Sequence, residues 1–297
     1  MTRELLLEAA LKYNMSPEDV ELDYHMTRVL EKLSKRIPDC VFKGGTSLFK
    51  CQQLSNRFSQ DLDISFSREL SREERKELKD SIVEIASELD MNIKNLYSTK
   101  SKRDYNCYLL EYRSLLNMAD RKQFNEETGE KGKKEELTNI VKIETALGAT
   151  CFPLERMKVK CLSADFDFDI QVQTIERTFI DKVFALCDYY IKGRTERLSR
   201  HIFDLYQIDE KYRITSAENP DSIKELVNRV RSQRATMWIC PSAKEGVNIT
   251  ELLTEMVNKS YYKEDYEIYA SEFNNPPVEY DTIIEVLKRI ADSELFE

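Results

Sequence analysis

The spacing of apolar residues changes along the chain, and the change predicts two kinds of structure. Up to about residue 175, short runs of alternating apolar and polar residues, typical of strands, are mixed with helical patterns. Beyond that point the apolar residues recur every three or four positions, as on one face of a helix. The pattern therefore predicts an α+β fold, with a small mixed sheet in a domain over residues 1–175 and a helical domain over residues 176–297.

Capping residues mark the predicted helices of the first domain. A helix is predicted over residues 3–13, and a second begins after Ser16-Pro17 and ends before Pro38. Ser71 with Glu74 three residues later forms a capping box and predicts a helix that ends near residue 90. Further helices are predicted over residues 46–53, 174–193 and about 198–205, and after Pro220 in a series whose last member spans about 280–292.

Seven short segments have the composition or alternation expected of strands. They are residues 40–42, 60–66, 92–97, 105–113, 138–147, 157–162 and 169–172. The highly charged stretch Asp120–Glu136 lies between two of these strands. It is predicted to be a solvated loop, and the alternative is a substrate-binding arm.

The stretch 42–66, FKGGTSLFKCQQLSNRFSQDLDISF, holds the residues whose chemistry is most specific. Asp61 and Asp63 are separated by one residue, so in a strand both carboxylates point to the same face. Two carboxylates a few ångströms apart repel each other unless a cation lies between them. Hard oxygen ligands of this kind select Mg²⁺ or Mn²⁺.

Gly44 and Gly45 precede these aspartates and are followed at once by Thr46 and Ser47. Backbone N–H groups at a glycine-rich turn that opens a helix bind phosphate. The Ser47 hydroxyl is expected to face a phosphate, with N-capping of the helix as the alternative. A phosphate site beside a carboxylate pair predicts metal-assisted chemistry on a nucleotide.

A third carboxylate from another strand is common in two-metal sites. The candidate is Glu144, which shares a strand face with Lys142 in the segment Ile140–Glu144. The spacing alone is explained equally well by an exposed sheet face that carries a mixed-charge pair. The upstream pair of aspartates favours the interpretation of Glu144 as a ligand.

A glycine turn, an Asp-x-Asp pair and a later acidic residue together resemble the DNA polymerase β-like nucleotidyltransferase superfamily. More narrowly, the segments Gly44–Leu48 and Arg57–Asp63 resemble the AbiEii/AbiGii-type toxin family, which includes the MenT toxins. Two later segments resemble the lysine-bearing helix and the closing Arg/His-x-x-Asp-Leu motif of that family: Glu176–Ala185 and Arg200–Tyr206. These motifs cover about residues 40–206.

The resemblance implies a polymerase-β-like domain that transfers a nucleoside monophosphate from an NTP to an acceptor hydroxyl and releases pyrophosphate. It implies that Asp61 and Asp63 hold Mg²⁺ or Mn²⁺, and that Glu144 completes the site and acts as general base. The triphosphate would be held by the turn from Gly44 to Ser47, with Lys142 also among the nucleotide-binding residues.

Lys182 would steady the triphosphate as a point charge, with a surface lysine that covers apolar residues as the alternative. Asp204 would orient Lys182, or would form a surface ion pair with Arg200 four residues earlier. Arg57 would orient the Asp-x-Asp strand or contact a phosphate.

By the same resemblance, the protein would be the toxin of a type IV-like toxin–antitoxin or abortive-infection pair. Its partners would be NTP, an RNA acceptor such as a tRNA 3′ end, and a cognate antitoxin. The basic residues available for RNA, which are also typical of solvated surface, are Lys100, Lys102, Arg103, Lys192, Arg194, Arg197 and Arg200. Two alternatives are a nucleotidyltransferase that modifies a small molecule or a protein, and a catalytically silent module that binds nucleotide or a partner.

Composition narrows the class of protein. The net charge of −9 argues against non-specific coating of nucleic acid, so any RNA contact must come from a local basic patch. Seven cysteines without a CxxC pair and only two histidines indicate reduced thiols rather than a zinc site. The polar first residues and the lack of an apolar run of about 18 residues predict a cytoplasmic protein without a membrane span.

Overall fold

The computed structural model describes residues 1–54, 57–117, 139–273 and 277–297, so the predicted charged loop 120–136 lies outside the described residues. The chain forms two compact units. Unit 1 consists of Met1–Cys51 and Ser59–Val172, and unit 2 of Gln52–Phe58 and Gln173–Glu297. Nothing in the sequence pattern indicated that Gln52–Phe58 belongs to unit 2. Across the described residues, a seven-stranded mixed sheet and ten α-helices confirm the α+β prediction.

The helices of unit 1 begin where capping residues predicted. They are α1 (Arg3–Tyr13), α2 (Pro17–Arg36), α3 (Gly44–Lys50) and α4 (Arg72–Glu88). The Ser16 hydroxyl accepts a hydrogen bond from the Asp19 backbone N–H at the start of α2. Both reciprocal bonds of the capping box are formed at the start of α4 between Ser71 and Glu74.

The sheet has the strand order β3-β4-β5-β2-β1-β7-β6. Its strands are β1 (Cys40–Lys43), β2 (Asp61–Phe66), β3 (Asn92–Ile93), β4 (Tyr105–Glu111), β5 (Ile140–Ala146), β6 (Leu154–Lys158) and β7 (Asp169–Gln173). Strand β2 is antiparallel to β1 and parallel to β5, which is antiparallel to β4. The strands that carry the candidate site, β2 and β5, are therefore neighbours near the centre of the sheet.

Two predicted strands are wrong in extent. The strand predicted over residues 92–97 ends at Ile93, because the Asn95 side chain bonds to the Cys107 carbonyl and to the Leu109 N–H in place of the backbone. The strand predicted over 157–162 is instead Leu154–Lys158. The residues after it leave the sheet: the Lys160 N–H donates to the Lys50 carbonyl, and the Leu162 N–H to the Asp23 carboxylate.

A buried ion pair fixes α3 within unit 1. The Lys50 ammonium contacts the Asp23 carboxylate, and both side chains are 0% exposed. A buried pair of this kind stabilises the fold only while both partners are present, since one buried charge alone is costly. The pair ties the helix that follows Gly44 to α2, and no sequence pattern predicted it.

Unit 2 is helical, with α5 (Ile175–Ile191), α6 (Ser199–Tyr212), α7 (Pro220–Ala235), α8 (Ile249–Asn258), α9 (Lys263–Phe273) and α10 (Tyr280–Asp292). Its core includes the apolar face predicted for α5, with Phe179, Val183 and Leu186 fully buried. The start of α6 has no cap of its own; the buried Asp265 carboxylate of α9 accepts hydrogen bonds from the Arg197 and Ser199 N–H groups instead. No helix among the described residues is long and apolar enough to cross a membrane.

Candidate active site

Strands β2 and β5 place four candidate residues side by side in unit 1. Their register pairs Asp61 with Lys142 and Asp63 with Glu144. All four side chains are half-buried, whereas Leu62 between the aspartates is fully buried on the opposite face. The expectation that both aspartates share one strand face is therefore confirmed, and the register adds Glu144 to that face.

The Lys142 ammonium lies between two of the three carboxylates. Its Nζ is 3.3 Å from Asp61 Oδ1 and also contacts Glu144 Oε1. Burial opposes the charged form of this lysine, but the contacts with Glu144 and Asp61 outweigh burial and raise the pKa of Lys142. Lys142 is thus the cation that offsets the repulsion between carboxylates on this face.

The turn at Gly44 is shaped around the Asp63 carboxylate. Gly44 has φ +80°, and a Cβ at this position would lie 2.1 Å from Asp63 Oδ2. Only glycine meets both demands, because other residues are strained at positive φ and any Cβ would overlap the carboxylate. The next residues fasten the turn: Thr46 Oγ1 donates to the Asp61 carbonyl at 2.5 Å, and Ser47 Oγ donates to the Gly44 carbonyl at 2.9 Å.

The Ser47 side chain is 3% exposed, and its hydroxyl proton is used within the turn itself. Its predicted contact with a phosphate remains a prediction. Gly45 and Thr46 form the first turn of α3, and Lys43 before them provides no side-chain cap. The backbone N–H groups at the start of α3 therefore receive no hydrogen-bond acceptor from the Lys43 side chain.

Two residues of this face were missed by sequence reasoning. In the register of β4 with β5, Cys107 is paired with Glu144, and Tyr105 lies two residues earlier on the same face. The Tyr105 side chain lies near Glu144; burial and the negative charge of Glu144 raise the pKa of Tyr105. The alternation in β4 could have placed Tyr105 and Cys107 on one face, but only the strand order brings that face beside Glu144.

The other candidate residues meet in unit 2. Asp204 is 1% exposed, and its carboxylate accepts hydrogen bonds from Arg57 Nε at 3.1 Å, Arg57 Nη2 at 2.9 Å and Lys182 Nζ at 2.6 Å. Burial alone would raise the pKa of Asp204, but Arg57 and Lys182 outweigh it and hold that pKa well below its usual range. Burial lowers the pKa of Lys182.

These contacts exclude two of the alternatives left by the sequence. Lys182 is 7% exposed, so the alternative of a surface lysine is wrong. The buried Asp204 pairs with Lys182 and Arg57, so a surface pair with Arg200 does not describe it. Two cations thus share one carboxylate, and cations of this kind suit an anionic ligand.

His201 lies near this cluster on α6. Both of its ring nitrogens are buried without a hydrogen-bond partner among the described residues, and its ring stacks on Tyr189 with centroids 5.7 Å apart. Burial and the nearby positive charges of Lys182 and Arg200 lower the pKa of His201 well below its usual value. Burial therefore favours the neutral form of the His201 ring.

An α+β fold with carboxylates on adjoining strands beside a glycine turn has the features of the nucleotidyltransferase class. The family model "Nucleotidyl transferase AbiEii toxin, Type IV TA system" matches residues 28–286. The chain therefore belongs to the AbiEii family of nucleotidyltransferase toxins, which come from type IV toxin–antitoxin systems. The match extends well beyond residue 206, so most of the C-terminal helices belong to the family as well. No curated protein matches the chain.

The carboxylates suit a hard divalent cation in chemistry and lie on one strand face. Asp61, Asp63 and Glu144 offer oxygen ligands from one face of two paired strands, the set that Mg²⁺ or Mn²⁺ prefers. Among the described residues, however, no three Asp, Glu, His or Cys side chains are gathered around a common point as metal ligands. Lys142 lies between Asp61 and Glu144, so a divalent cation bound by these carboxylates would require this ammonium to move aside.

Proposed function

We propose that the protein transfers a nucleoside monophosphate from an NTP to a hydroxyl of an RNA acceptor, with a tRNA 3′ end as the favoured acceptor. The observation that carries the proposal is the register of β2 with β5, in which Asp61, Asp63 and Glu144 share one face. Family membership supports the reaction class and implies an antitoxin partner. Mg²⁺ or Mn²⁺ and an NTP are the proposed cofactor and donor.

The carboxylates of Asp61, Asp63 and Glu144 would hold the divalent cation. When bound, such an ion neutralises the charge that develops on the leaving pyrophosphate. Glu144 would also accept the proton of the attacking hydroxyl. The Tyr105 side chain lies near this carboxylate and would hold it in position as the proton moves.

The remaining residues would bind and orient the triphosphate. Gly44 lets the turn come close to the Asp63 carboxylate, so phosphates bound at the turn would lie beside the carboxylates. Lys182 would place a positive charge on the triphosphate. Asp204 accepts from both Lys182 and Arg57, and through these bonds it would fix the direction of the lysine.

Transfer of labelled nucleotide tests this function. Each α-labelled NTP is incubated with the protein and purified tRNA, with Mg²⁺ or with a chelator, and with protein and small-molecule pools as competing acceptors. We expect label on tRNA that requires the cation and that falls more than about 100-fold in Asp63→Asn. The matched control is Asp165→Asn, since Asp165 is an exposed aspartate of unit 1.

The outcomes separate the three candidate functions. Label on a small molecule or a protein instead of tRNA would support a transferase with another acceptor. NTP binding without transfer, and equal growth arrest on expression of wild type and Asp63→Asn, would support a silent binding module. Equal transfer by Asp63→Asn and wild type would refute the proposed site.

A further inference from the structure

Unit 2 exposes a large aromatic side chain on the loop that follows α7. Trp238, the single tryptophan of the chain, is 88% exposed, and the adjacent Ile239 is 42% exposed. An indole left almost wholly in water is unusual, because aromatic side chains are among the largest contributors to burial and to interfaces. The two side chains form an apolar patch on the surface of unit 2.

The backbone of this loop is firmly held although its side chains are exposed. Arg234 just before the loop donates to Asp188 Oδ2 at 2.7 Å, and the Ser242 N–H just after it donates to Asp188 Oδ1 at 2.9 Å. Asp188 is itself 4% exposed, and Cys240 within the segment is buried. One buried carboxylate of α5 thus anchors both ends of the loop, and Trp238 is presented on a pre-organised support.

Two lysines bond to the backbone on either side of Trp238 in the sequence. Lys192 Nζ donates to the Ile239 carbonyl and Lys244 Nζ donates to the Ala235 carbonyl, each at 2.5 Å. An ammonium has three N–H donors, so each lysine keeps donors for a ligand. The patch therefore combines an aromatic face with two positive charges. The exposed Glu245 next to Lys244 limits the local charge, so stacking must provide a large part of any binding.

We propose that this loop, with Trp238 and the backbone-bound Lys192 and Lys244, binds single-stranded RNA. A base would stack on the indole and the neighbouring phosphates would contact the two ammonium groups. This inference rests on the proposed function, in which the acceptor is RNA, and it names the surface that holds the strand. The net charge of −9 means that RNA must be held by such a local patch rather than by the overall charge.

A single strand fits this patch better than a duplex or a protein does. In a duplex the bases stack on each other, whereas a single strand leaves base faces free for an aromatic side chain. A protein partner would be expected to cover a wider apolar area than one indole and one isoleucine. The patch is small, and its two lysines carry the positive charge that binds phosphate groups.

The single tryptophan makes the inference directly measurable. The intrinsic fluorescence of the full-length protein is titrated with a 12-nucleotide single-stranded oligouridylate, with an RNA duplex of equal length, and with polyglutamate, all without NTP or metal. We expect saturable quenching by the single strand only. A plot of the logarithm of the affinity for the single strand against the logarithm of the salt concentration should have a slope of about −1.4. About 0.7 counterions are released per phosphate contact, and two contacts are proposed.

Variants are compared by the anisotropy of a labelled oligouridylate, with circular dichroism as the check on folding. Trp238→Ala should weaken binding about tenfold, Trp238→Phe should stay within about threefold of wild type, and Lys192→Gln/Lys244→Gln should flatten the salt slope. The matched control is Ile268→Ala, which removes an apolar side chain of unit 2 that is 60% exposed and should leave binding unchanged.

Three results would each overturn the inference: unchanged binding by Trp238→Ala, equal binding of duplex and single strand, or stronger quenching by polyglutamate than by the single strand. The last of these would indicate an acidic protein partner. Because no NTP or metal is present, the result is independent of catalysis. Asp63→Asn should bind the oligonucleotide like wild type. If Asp63→Asn abolishes transfer to tRNA while Trp238→Ala binds RNA normally, the proposed function stands and this inference fails.

Discussion

Replacing Gly44 with alanine probes the contact between the glycine turn and the carboxylate site. The new Cβ would lie 2.1 Å from Asp63 Oδ2, well under the 3.0 Å below which real Cβ contacts are essentially never found. The carboxylate must therefore retreat by about 1 Å, and a misplacement of that size costs about 100-fold in rate. The positive φ of Gly44 adds backbone strain of roughly 1–2 kcal/mol.

Gly193 provides the matched control. It also has a positive φ, +65°, but a Cβ there would meet nothing within 4 Å. Gly193→Ala should therefore show the backbone strain alone, with a free energy of unfolding lower by roughly 1–2 kcal/mol and nucleotide transfer within about twofold of wild type. The difference between the two variants isolates the clash with Asp63.

The assay combines urea denaturation with transfer of labelled nucleotide to tRNA under saturating NTP. We expect similar losses of stability in both variants and a loss of transfer of about 100-fold in Gly44→Ala only. A binding measurement with Mn²⁺, followed by electron paramagnetic resonance, should show weakened ion binding in Gly44→Ala as well. If Gly44→Ala transfers nucleotide as well as Gly193→Ala does, the close approach of the turn to Asp63 has no part in the reaction.

Three further predictions concern charges within each unit. Asp204→Asn removes the carboxylate that the buried Lys182 and Arg57 share and should lower the free energy of unfolding in urea by about 3–5 kcal/mol. Asp204→Asn/Lys182→Met should recover part of this loss, and a loss under about 1 kcal/mol would contradict the prediction. Burial lowers the pKa of His25 from 6.5 to about 4. Between pH 6.5 and pH 4 the unfolded chain therefore binds more protons than the folded chain does. The free energy of unfolding should fall by up to about 3 kcal/mol as the pH drops through this range. His25→Phe, which keeps the stacking on Tyr112, should reduce this dependence on pH. Lys142→Met removes a positive charge from among the carboxylates and should tighten Mn²⁺ binding about tenfold by paramagnetic resonance, whereas weaker binding would show that the lysine does not compete with the ion.

Local signals were sufficient for much of the fold. Capping residues fixed the start of α2 at Ser16 and of α4 at Ser71, because a cap acts within one turn of its helix. Alternation placed Asp61 and Asp63 on one face, because side-chain direction in a strand depends only on the count of residues. The strand predicted over 92–97 was wrong where a side chain, Asn95, replaced the backbone in the hydrogen-bond ladder.

The sequence by itself predicted the candidate residues of the site and determined which strand face the two aspartates share. Only the tertiary structure decided that Glu144 lies beside Asp63, that Tyr105 lies near Glu144, and that Arg57 reaches Asp204 across 147 positions of sequence. Strand order, register and buried ion pairs depend on how distant segments pack, and local periodicity carries no information about that packing.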